Sequence, residues 1–143
     1  MSGNEKMAVA LLGHGSRAAG ASEGMETVAR RLRESGRYAI VEACHMAQLR
    51  PSLPDALAKC AEQGATTVIV LPYFLHMGIH VLADIPDLMR EAAGEYPDMK
   101  IVLGKHLGFD EVLVGLVEKR VGESMDLDDV RTTLPATEDS SVC

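Results

Sequence analysis

The sequence predicts an α/β fold in which helices cover both faces of a four-stranded parallel sheet. Four short apolar runs alternate with four segments whose apolar residues recur every three or four positions. Each helical segment ends at a glycine, namely Gly36, Gly64, Gly94 or Gly122. Strands that alternate with helices form parallel sheets, because each helix returns the chain by a right-handed crossover.

The four predicted strands are mostly apolar, as expected for strands that are buried on both faces of a sheet. They span Met7–Leu12, Tyr38–Cys44, Thr66–Val70 and Lys100–Leu103.

The predicted helices follow from amphipathic periodicity and from capping residues. Ser52 caps the second helix and Asp110 the fourth, and the third begins near Asp84 with Pro86 in its first turn. The first helix is expected to bury one face, made of Ala18, Ala21, Met25, Val28, Ala29 and Leu32. The fourth is expected to bury Val112, Leu113, Leu116, Val117 and Val121.

The chain of 143 residues is expected to form one domain over residues 1–122, followed by an acidic, flexible tail over residues 123–143. A net charge of −7 argues against nucleic acid as a partner. No apolar run is long enough to cross a membrane, and the N-terminus lacks a signal sequence. The three cysteines have no CxxC spacing, and Cys44 and Cys60 are interpreted as core residues. These features predict a reduced, cytoplasmic protein.

All five histidines follow predicted strands. His14 follows the first strand, His45 the second, His76 and His80 the third, and His106 the fourth. Because the carboxyl ends of parallel strands share one edge, where ligands of open α/β sheets bind, all five imidazoles are expected there. Imidazole is a common ligand of divalent transition metals, so the edge is a candidate metal site. Each histidine taken alone is better explained as an ordinary solvated loop residue than as a ligand, and it is the presence of all five at one edge that favours a site.

The loop Gly13-His14-Gly15-Ser16-Arg17 allows a second interpretation. A glycine-rich turn before a helix presents backbone N–H groups to an anion, and Arg17 could pair with it. The loop lacks the spacing of a P-loop or of a dinucleotide fingerprint. An anion-binding hydrolase or phosphotransferase is therefore a weaker alternative.

Three motifs together carry a family resemblance: Gly13–Arg17, Pro51-Ser52-Leu53, and Pro72–Leu75 continuing through Gly78, His80 and Asp84-Ile85-Pro86. In their order and spacing, over roughly residues 7–121, they resemble the CbiX-type sirohydrochlorin chelatases. These are small class II chelatases that insert a divalent metal ion into sirohydrochlorin without ATP. The resemblance implies a flavodoxin-like, three-layer αβα fold.

The resemblance also implies the residues of the site. The two signature histidines match His14 and His80, which would hold the metal ion and accept the pyrrole protons. His76 is not part of the shared motif; it and His45 are candidate further ligands because of their place at the same edge, and His76 is equally compatible with a simple loop residue. Substrate contacts are implied for residues of the shared motifs: Gly13, Gly15, Ser16, Arg17, Tyr73, Phe74 and Gly78. The metal ion (Co²⁺, Ni²⁺ or Fe²⁺) is a substrate, no organic cofactor is implied, and a chain with one such unit is expected to pair as a homodimer.

One position departs from the family pattern. Ala47 stands where relatives often carry an acidic residue shortly before Pro-Ser-Leu. His45 or Glu42 could take over its role. Arg17, Arg50 and Lys105 are the cationic candidates for binding the carboxylates of the tetrapyrrole, although Arg50 and Lys105 are equally compatible with solvated charges.

The pattern leaves two functions open. The first is the chelatase, whose product would feed cobalamin, sirohaem or a nickel tetrapyrrole. The second is a non-catalytic protein that binds or delivers a metal ion through the same histidines. The sequence does not identify the metal, because the ions that imidazole binds are ranked by general affinity more than by the site.

Overall fold

A computed structural model of the chain describes residues 5–15, 23–46 and 49–133. Its four strands form one sheet in the order β2-β1-β3-β4, and every neighbouring pair is parallel. This confirms the predicted α/β fold class. In chain order the elements are β1 (Met7–Gly13), α1 (Glu23–Glu34), β2 (Ile40–His45), α2 (Leu53–Glu62), β3 (Thr67–Pro72), α3 (Ile79–Ala93), β4 (Lys100–Leu103), α4 (Glu111–Ser124) and α5 (Val130–Thr133).

Two cores lie on opposite faces of the sheet, because successive side chains of a strand point to opposite sides. Along β1, Ala8, Ala10 and Leu12 belong to the larger core, whereas Val9 and Leu11 belong to the smaller one. Helices α2 and α3 contribute to the larger core and α1 to the smaller. The strand order explains this division. The step from β1 to β2 runs in the opposite direction to the steps from β2 to β3 and from β3 to β4, so right-handed crossovers place α1 on the face opposite α2 and α3.

The strand ends align at one edge of the sheet. Gly13 at the end of β1 pairs with His45 at the end of β2, and Leu12 pairs with Pro72 at the end of β3. Val70 pairs with Leu103, the last residue of β4. This register brings the segments that follow all four strands to the carboxyl edge, as the sequence predicted.

The two predicted helix caps are confirmed. The Ser52 hydroxyl accepts a hydrogen bond from the Asp55 N–H, and the Asp55 carboxylate accepts one from the Ser52 N–H, which is a complete capping box. At the start of α4 the Asp110 side chain accepts a hydrogen bond from the Val112 N–H. The first core face is confirmed for Met25 and Ala29, and Leu32 packs half-buried against the same core. The prediction is wrong for Val28, which is exposed, and Ala18 and Ala21 lie outside the described residues.

The predicted start of the third helix is wrong. Helix α3 begins at Ile79, directly after the N-cap residue Gly78, and Pro86 lies inside it instead of in its first turn. A proline inside a helix removes one hydrogen bond but does not end the helix when packing stabilises both sides. Here Ile85 is fully buried next to Pro86. The earlier start places His80 in the first turn of α3 rather than in the preceding loop.

The chain divides into two compact units, Met1–Gly108 and Phe109–Cys143. Within the described residues the second unit consists of α4 and α5. Helix α4 ends at Ser124, two residues beyond Gly122, and α5 lies within the segment that was expected to be a flexible tail. Residues 134–143 lie outside the described residues. The predicted domain boundary after residue 122 stays a prediction.

The predicted buried face of α4 is wrong, because none of its side chains is buried. At about 100° per residue, the apolar residues of α4 do share one broad side of the helix, but in the structure Leu113 is only half-buried and Val112, Leu116, Val117 and Val121 are exposed. These are the five residues expected inside.

Among the described residues, no helix has both the length and the apolar character that crossing a membrane requires.

Candidate active site at the carboxyl edge of the sheet

His14 stands exposed immediately after β1. It is flanked by Gly13 and by Gly15, whose φ of +90° lies in the left-handed region that favours glycine. The chain therefore turns sharply after His14. Ser16 and Arg17, the remaining residues of this motif, lie outside the described residues.

Because Gly13 has no side chain, those of Met25 and His45 can pack against its backbone at the end of β1. A Cβ atom at this position would lie 2.8 Å from Met25 Cε and 3.4 Å from His45 Nδ1. The His45 ring therefore packs against the backbone of Gly13, on the face that carries Met25 and α1. A side chain at position 13 would displace the end of Met25 and press against the His45 ring.

His45 does not lie beside His14 on the same face. The register pairs His45 with Gly13, and His14 is one residue further along, where a side chain points to the opposite face. The backbone of His45 is fixed by its N–H, which donates to the Pro51 carbonyl at 2.9 Å, and its side chain is only 9% exposed. His45 is thus at the predicted edge but on the α1 side of the sheet.

Phe74 contacts His14 across the ends of β1 and β3. The ring centroids are 5.5 Å apart and the planes meet at 64°, which is an edge-to-face arrangement. The register explains the contact: Leu12 pairs with Pro72, so the residues two positions further, His14 and Phe74, are also neighbours on the same face. The sequence analysis missed this pair. The alternation along the two strands was the signal that could have revealed it.

The segment after β3 carries the remaining residues of the third motif. Tyr73 is half-buried, and its N–H donates to the Leu12 carbonyl at 2.8 Å, which extends the β1–β3 ladder. His76 is exposed. Gly78 is the N-cap residue of α3, and its carbonyl accepts a hydrogen bond from the Leu82 N–H at 2.9 Å. His80 occupies the first turn of α3.

The loop after β4 is tied to the same edge. The Gly104 N–H donates to the Val70 carbonyl at 2.8 Å, and the Gly108 N–H donates to the Phe74 carbonyl at 3.3 Å. Gly108 has a φ of +57°, and a Cβ there would lie 3.4 Å from His106 Nε2. The half-buried His106 ring therefore folds back onto its own loop, close to the backbone hydrogen bond that Phe74 accepts.

The four described side chains, His14, His45, His76 and His106, all belong to the carboxyl edge. Among the described side chains, which do not include that of His80, no three histidine, cysteine, aspartate or glutamate side chains are close enough to hold a metal ion. Sharing an edge therefore does not make these imidazoles a closed ligand cage.

Arg50 already has a partner. Its guanidinium donates to both carboxylate oxygens of Asp55, at 3.1 and 2.8 Å. The pKa of Asp55 is lowered, first by the hydrogen bond from the Ser52 N–H, then by the Ser52 hydroxyl and the Arg50 charge. Arg50 thus supports the α2 cap, which agrees with its interpretation as an ordinary surface charge. Lys105 is exposed beside His106.

Cys44 and Cys60 are core residues, as predicted, with no exposed surface. Burial raises the pKa of the Cys44 thiol to about 12 and that of Cys60 to about 11. Both stay protonated at neutral pH, so neither is a thiolate ligand or a nucleophile under those conditions.

The fold and this edge can be compared with known proteins. The model of the CbiX family matches residues 8–124, which is most of the chain. The chain belongs to the CbiX family. This match covers the whole parallel sheet and helices α1 to α4.

Two relatives show how the family varies in length. The chain is 34% identical to the chloroplastic sirohydrochlorin ferrochelatase of Arabidopsis thaliana over 113 residues, which cover 79% of this chain and 50% of that protein. It is 30% identical to the sirohydrochlorin cobaltochelatase of Methanosarcina acetivorans over 128 residues, covering 85% of this chain and 98% of that protein. The CbiX chain thus spans about half of the first relative and nearly all of the second.

Solved structures of the CbiX family share the fold. The sirohydrochlorin chelatase SirB from Bacillus subtilis subspecies spizizenii, solved in complex with cobalt, superposes with a TM-score of 0.75 at 30% identity, over 82% of this chain and 50% of that one. A CbiX protein from Marinobacter aquaeolei superposes with a TM-score of 0.72 at 26% identity, over 85% of this chain and 99% of that one.

Proposed function

We propose that this CbiX chain inserts a divalent metal ion, Co²⁺, Ni²⁺ or Fe²⁺, into sirohydrochlorin without ATP. The observation that carries the proposal is His14, an exposed imidazole at the carboxyl edge of a CbiX-family sheet. Relatives named sirohydrochlorin cobaltochelatase and sirohydrochlorin ferrochelatase support both the substrate and the reaction. The SirB structure in complex with cobalt supports a divalent metal ion as the second substrate.

Metal insertion exchanges two protons for one ion. The metal ion must arrive partly dehydrated, the two pyrrole N–H protons must leave, and the product is the metallated ring with two protons released. Imidazole binds borderline divalent ions and also accepts protons near neutral pH. In the proposal, His14 and His80 bind the metal ion above the ring and accept the pyrrole protons, with His76 and His45 as accessory ligands.

An incomplete ligand set suits a transferring enzyme. A structural metal site closes four protein ligands around its ion, and such an ion is not released. Among the described side chains, no three that could bind a metal ion come together. A site with two histidine ligands would leave the remaining coordination positions to water and then to the ring nitrogens.

The tetrapyrrole is proposed to bind along the motif segments that surround His14 and His80. The contacts proposed for it come from Gly13, Gly15, Ser16, Arg17, Tyr73 and Gly78, together with Phe74. Arg17 is the candidate for pairing with a carboxylate of the ring, because Arg50 is already held by Asp55. The chain is proposed to act in the cytoplasm as a homodimer.

Replacing either signature histidine tests the proposal. We expect His14→Ala and His80→Ala each to lower the initial rate of Co²⁺ insertion into sirohydrochlorin roughly 10²-fold or more, because a metal ligand and a proton acceptor are removed together. The rate is followed by absorbance under anaerobic conditions, with each metal ion tested in turn. His76→Ala and His45→Ala measure the accessory roles.

Lys59→Ala is the matched control, because Lys59 is exposed in the last turn of α2, at the opposite edge of the sheet. It should insert metal at the wild-type rate. Wild-type rates in both His14→Ala and His80→Ala would refute the assignment. Stoichiometric metal binding by the wild type with no change in the tetrapyrrole spectrum would favour the non-catalytic metal-binding protein.

A further inference from the structure

Phe74 is held rigidly in the larger core of the sheet. Its side chain is only 7% exposed and packs in the cluster that includes Leu12, Leu53 and Ile85. Its backbone is fixed on both sides, because the preceding N–H of Tyr73 donates to the Leu12 carbonyl and the carbonyl of Phe74 accepts from the Gly108 N–H. The Phe74 ring is therefore a fixed surface at the carboxyl edge.

His14 has few restraints of its own. It is exposed, it lies between two glycines, and its imidazole forms no hydrogen bond to another side chain or backbone group of the described residues. Its ring does rest at an angle of 64° against Phe74, with 5.5 Å between the ring centroids. Contacts of this kind between aromatic rings favour one relative orientation.

We propose that Phe74 is a positioning residue that holds the His14 imidazole in the orientation from which it binds the metal ion, a role that rests on the function proposed above. An unrestrained imidazole loses rotamer freedom when it binds an ion, and this loss weakens binding. A ring that is already ordered by Phe74 loses less. Because the Phe74 ring is buried and packs against His14, this role is exerted through His14 and is separate from the tetrapyrrole contact proposed above.

Phe74→Leu removes the ring and keeps an apolar side chain in the core. We expect it to weaken Co²⁺ binding to the protein roughly two- to tenfold. This is the change in affinity that corresponds to the interaction energy of one aromatic pair. The KM for Co²⁺ should rise by the same factor while kcat changes by less than about twofold, because an interaction that orders the metal ligand acts on binding. Phe74→Tyr retains the ring and should restore most of the affinity.

Two measurements separate positioning from a general loss of stability. Met89→Leu is the matched control, because Met89 belongs to the same core and is also 7% exposed. It should leave Co²⁺ affinity unchanged. In the metal-free protein, the ring-proton resonances of His14, assigned with His14→Ala, should shift in Phe74→Leu as the ring current of Phe74 disappears, and they should stay in place in Met89→Leu.

A Co²⁺ affinity in Phe74→Leu equal to that of Met89→Leu would overturn the proposal, whether or not the His14 resonances shift. A wild-type protein that inserts no metal would refute the proposed function instead. The positioning role would then be decided by the Co²⁺ affinity and the His14 resonances alone.

Discussion

At the scale of single residues, glycines set how closely the strand ends approach one another. Gly104 shows this most sharply, because a Cβ there would lie 3.0 Å from Ile69 Cγ2 and 3.3 Å from the Val70 carbonyl oxygen. At Gly13 the nearest atoms belong to the flexible end of Met25. Backbone cannot move aside as a methionine can, so position 104 is the stricter requirement for glycine. Both glycines keep the histidine loops close to the sheet.

The two buried cysteines predict a specific response to alkaline pH. Burial raises the pKa of Cys44 from 9.0 to about 12, and that of Cys60 from 9.0 to about 11. A raised pKa in the folded state means that the stabilising contribution is fully present below pH 9 and is lost as pH rises from 9 toward those values. The free energy of unfolding should therefore fall above about pH 9.

Cys44→Ala tests this response. The variant should lose less of its unfolding free energy between pH 8 and pH 10.5 than the wild type, measured by urea denaturation at each pH. Its stability at pH 8 will be lower, because a buried side chain is truncated, so only the pH dependence is compared. Equal pH dependence in the two proteins would show that the thiol does not contribute.

At the scale of the elements, the sequence predicted the order and type of every strand and of helices α1 to α4, because periodicity reports which side chains face a core. It did not predict the start of α3. A proline is a strong boundary signal in the sequence, whereas its tolerance within α3 depends on the burial of Ile85. The exposure of α4 was likewise not predicted, because periodicity identifies an apolar side of a helix and does not show whether another element covers it.

The capping box of α2 predicts how one substitution will change the stability of the protein. Ser52→Ala should lower the free energy of unfolding by about 1 kcal/mol at pH 7, because the Asp55 N–H loses its acceptor. Urea denaturation measures the change. Lys59→Ala, in the last turn of the same helix, should change stability by less than about 0.5 kcal/mol.

The carboxylate of Asp55 makes the stability that this cap contributes depend on pH. Its lowered pKa means that its contribution is present above the ordinary value of 3.8 and is lost as pH falls through that value and below. Asp55→Asn should therefore be less stable than the wild type at pH 7, and the difference should shrink at pH 3. A difference of constant size would contradict the role of the ionised carboxylate.

For the whole molecule, the sequence predicted that the histidines share one edge of the sheet, because topology alone brings strand ends together. It could not predict which of them share a face. That depends on register: His45 pairs with Gly13, whereas His14 lies beside Phe74. The motif resemblance predicted His14 and His80 as site residues, and it gave no indication that Phe74 touches His14.

Assembly into a homodimer is the prediction for the whole molecule. The aligned part of the chain covers 50% of the SirB chain and 99% of the Marinobacter aquaeolei CbiX chain, so two copies of that part match the length of the longer form. Sedimentation velocity of the purified protein should give a species of twice the chain's 15.3 kDa at micromolar concentration. A single monomeric species over that range would contradict it.

The pairing of β1 with β3 also governs when the His14–Phe74 contact can form. The Lys6 N–H bonds the Thr66 hydroxyl at the start of this pair, across a sequence separation of 60 residues. Loop closure over such a distance costs conformational entropy before any contact offsets it, and folding rates fall as contacts become less local. The edge that carries His14 and Phe74 is therefore absent from a growing polypeptide until the third strand has been synthesised and has docked beside the first.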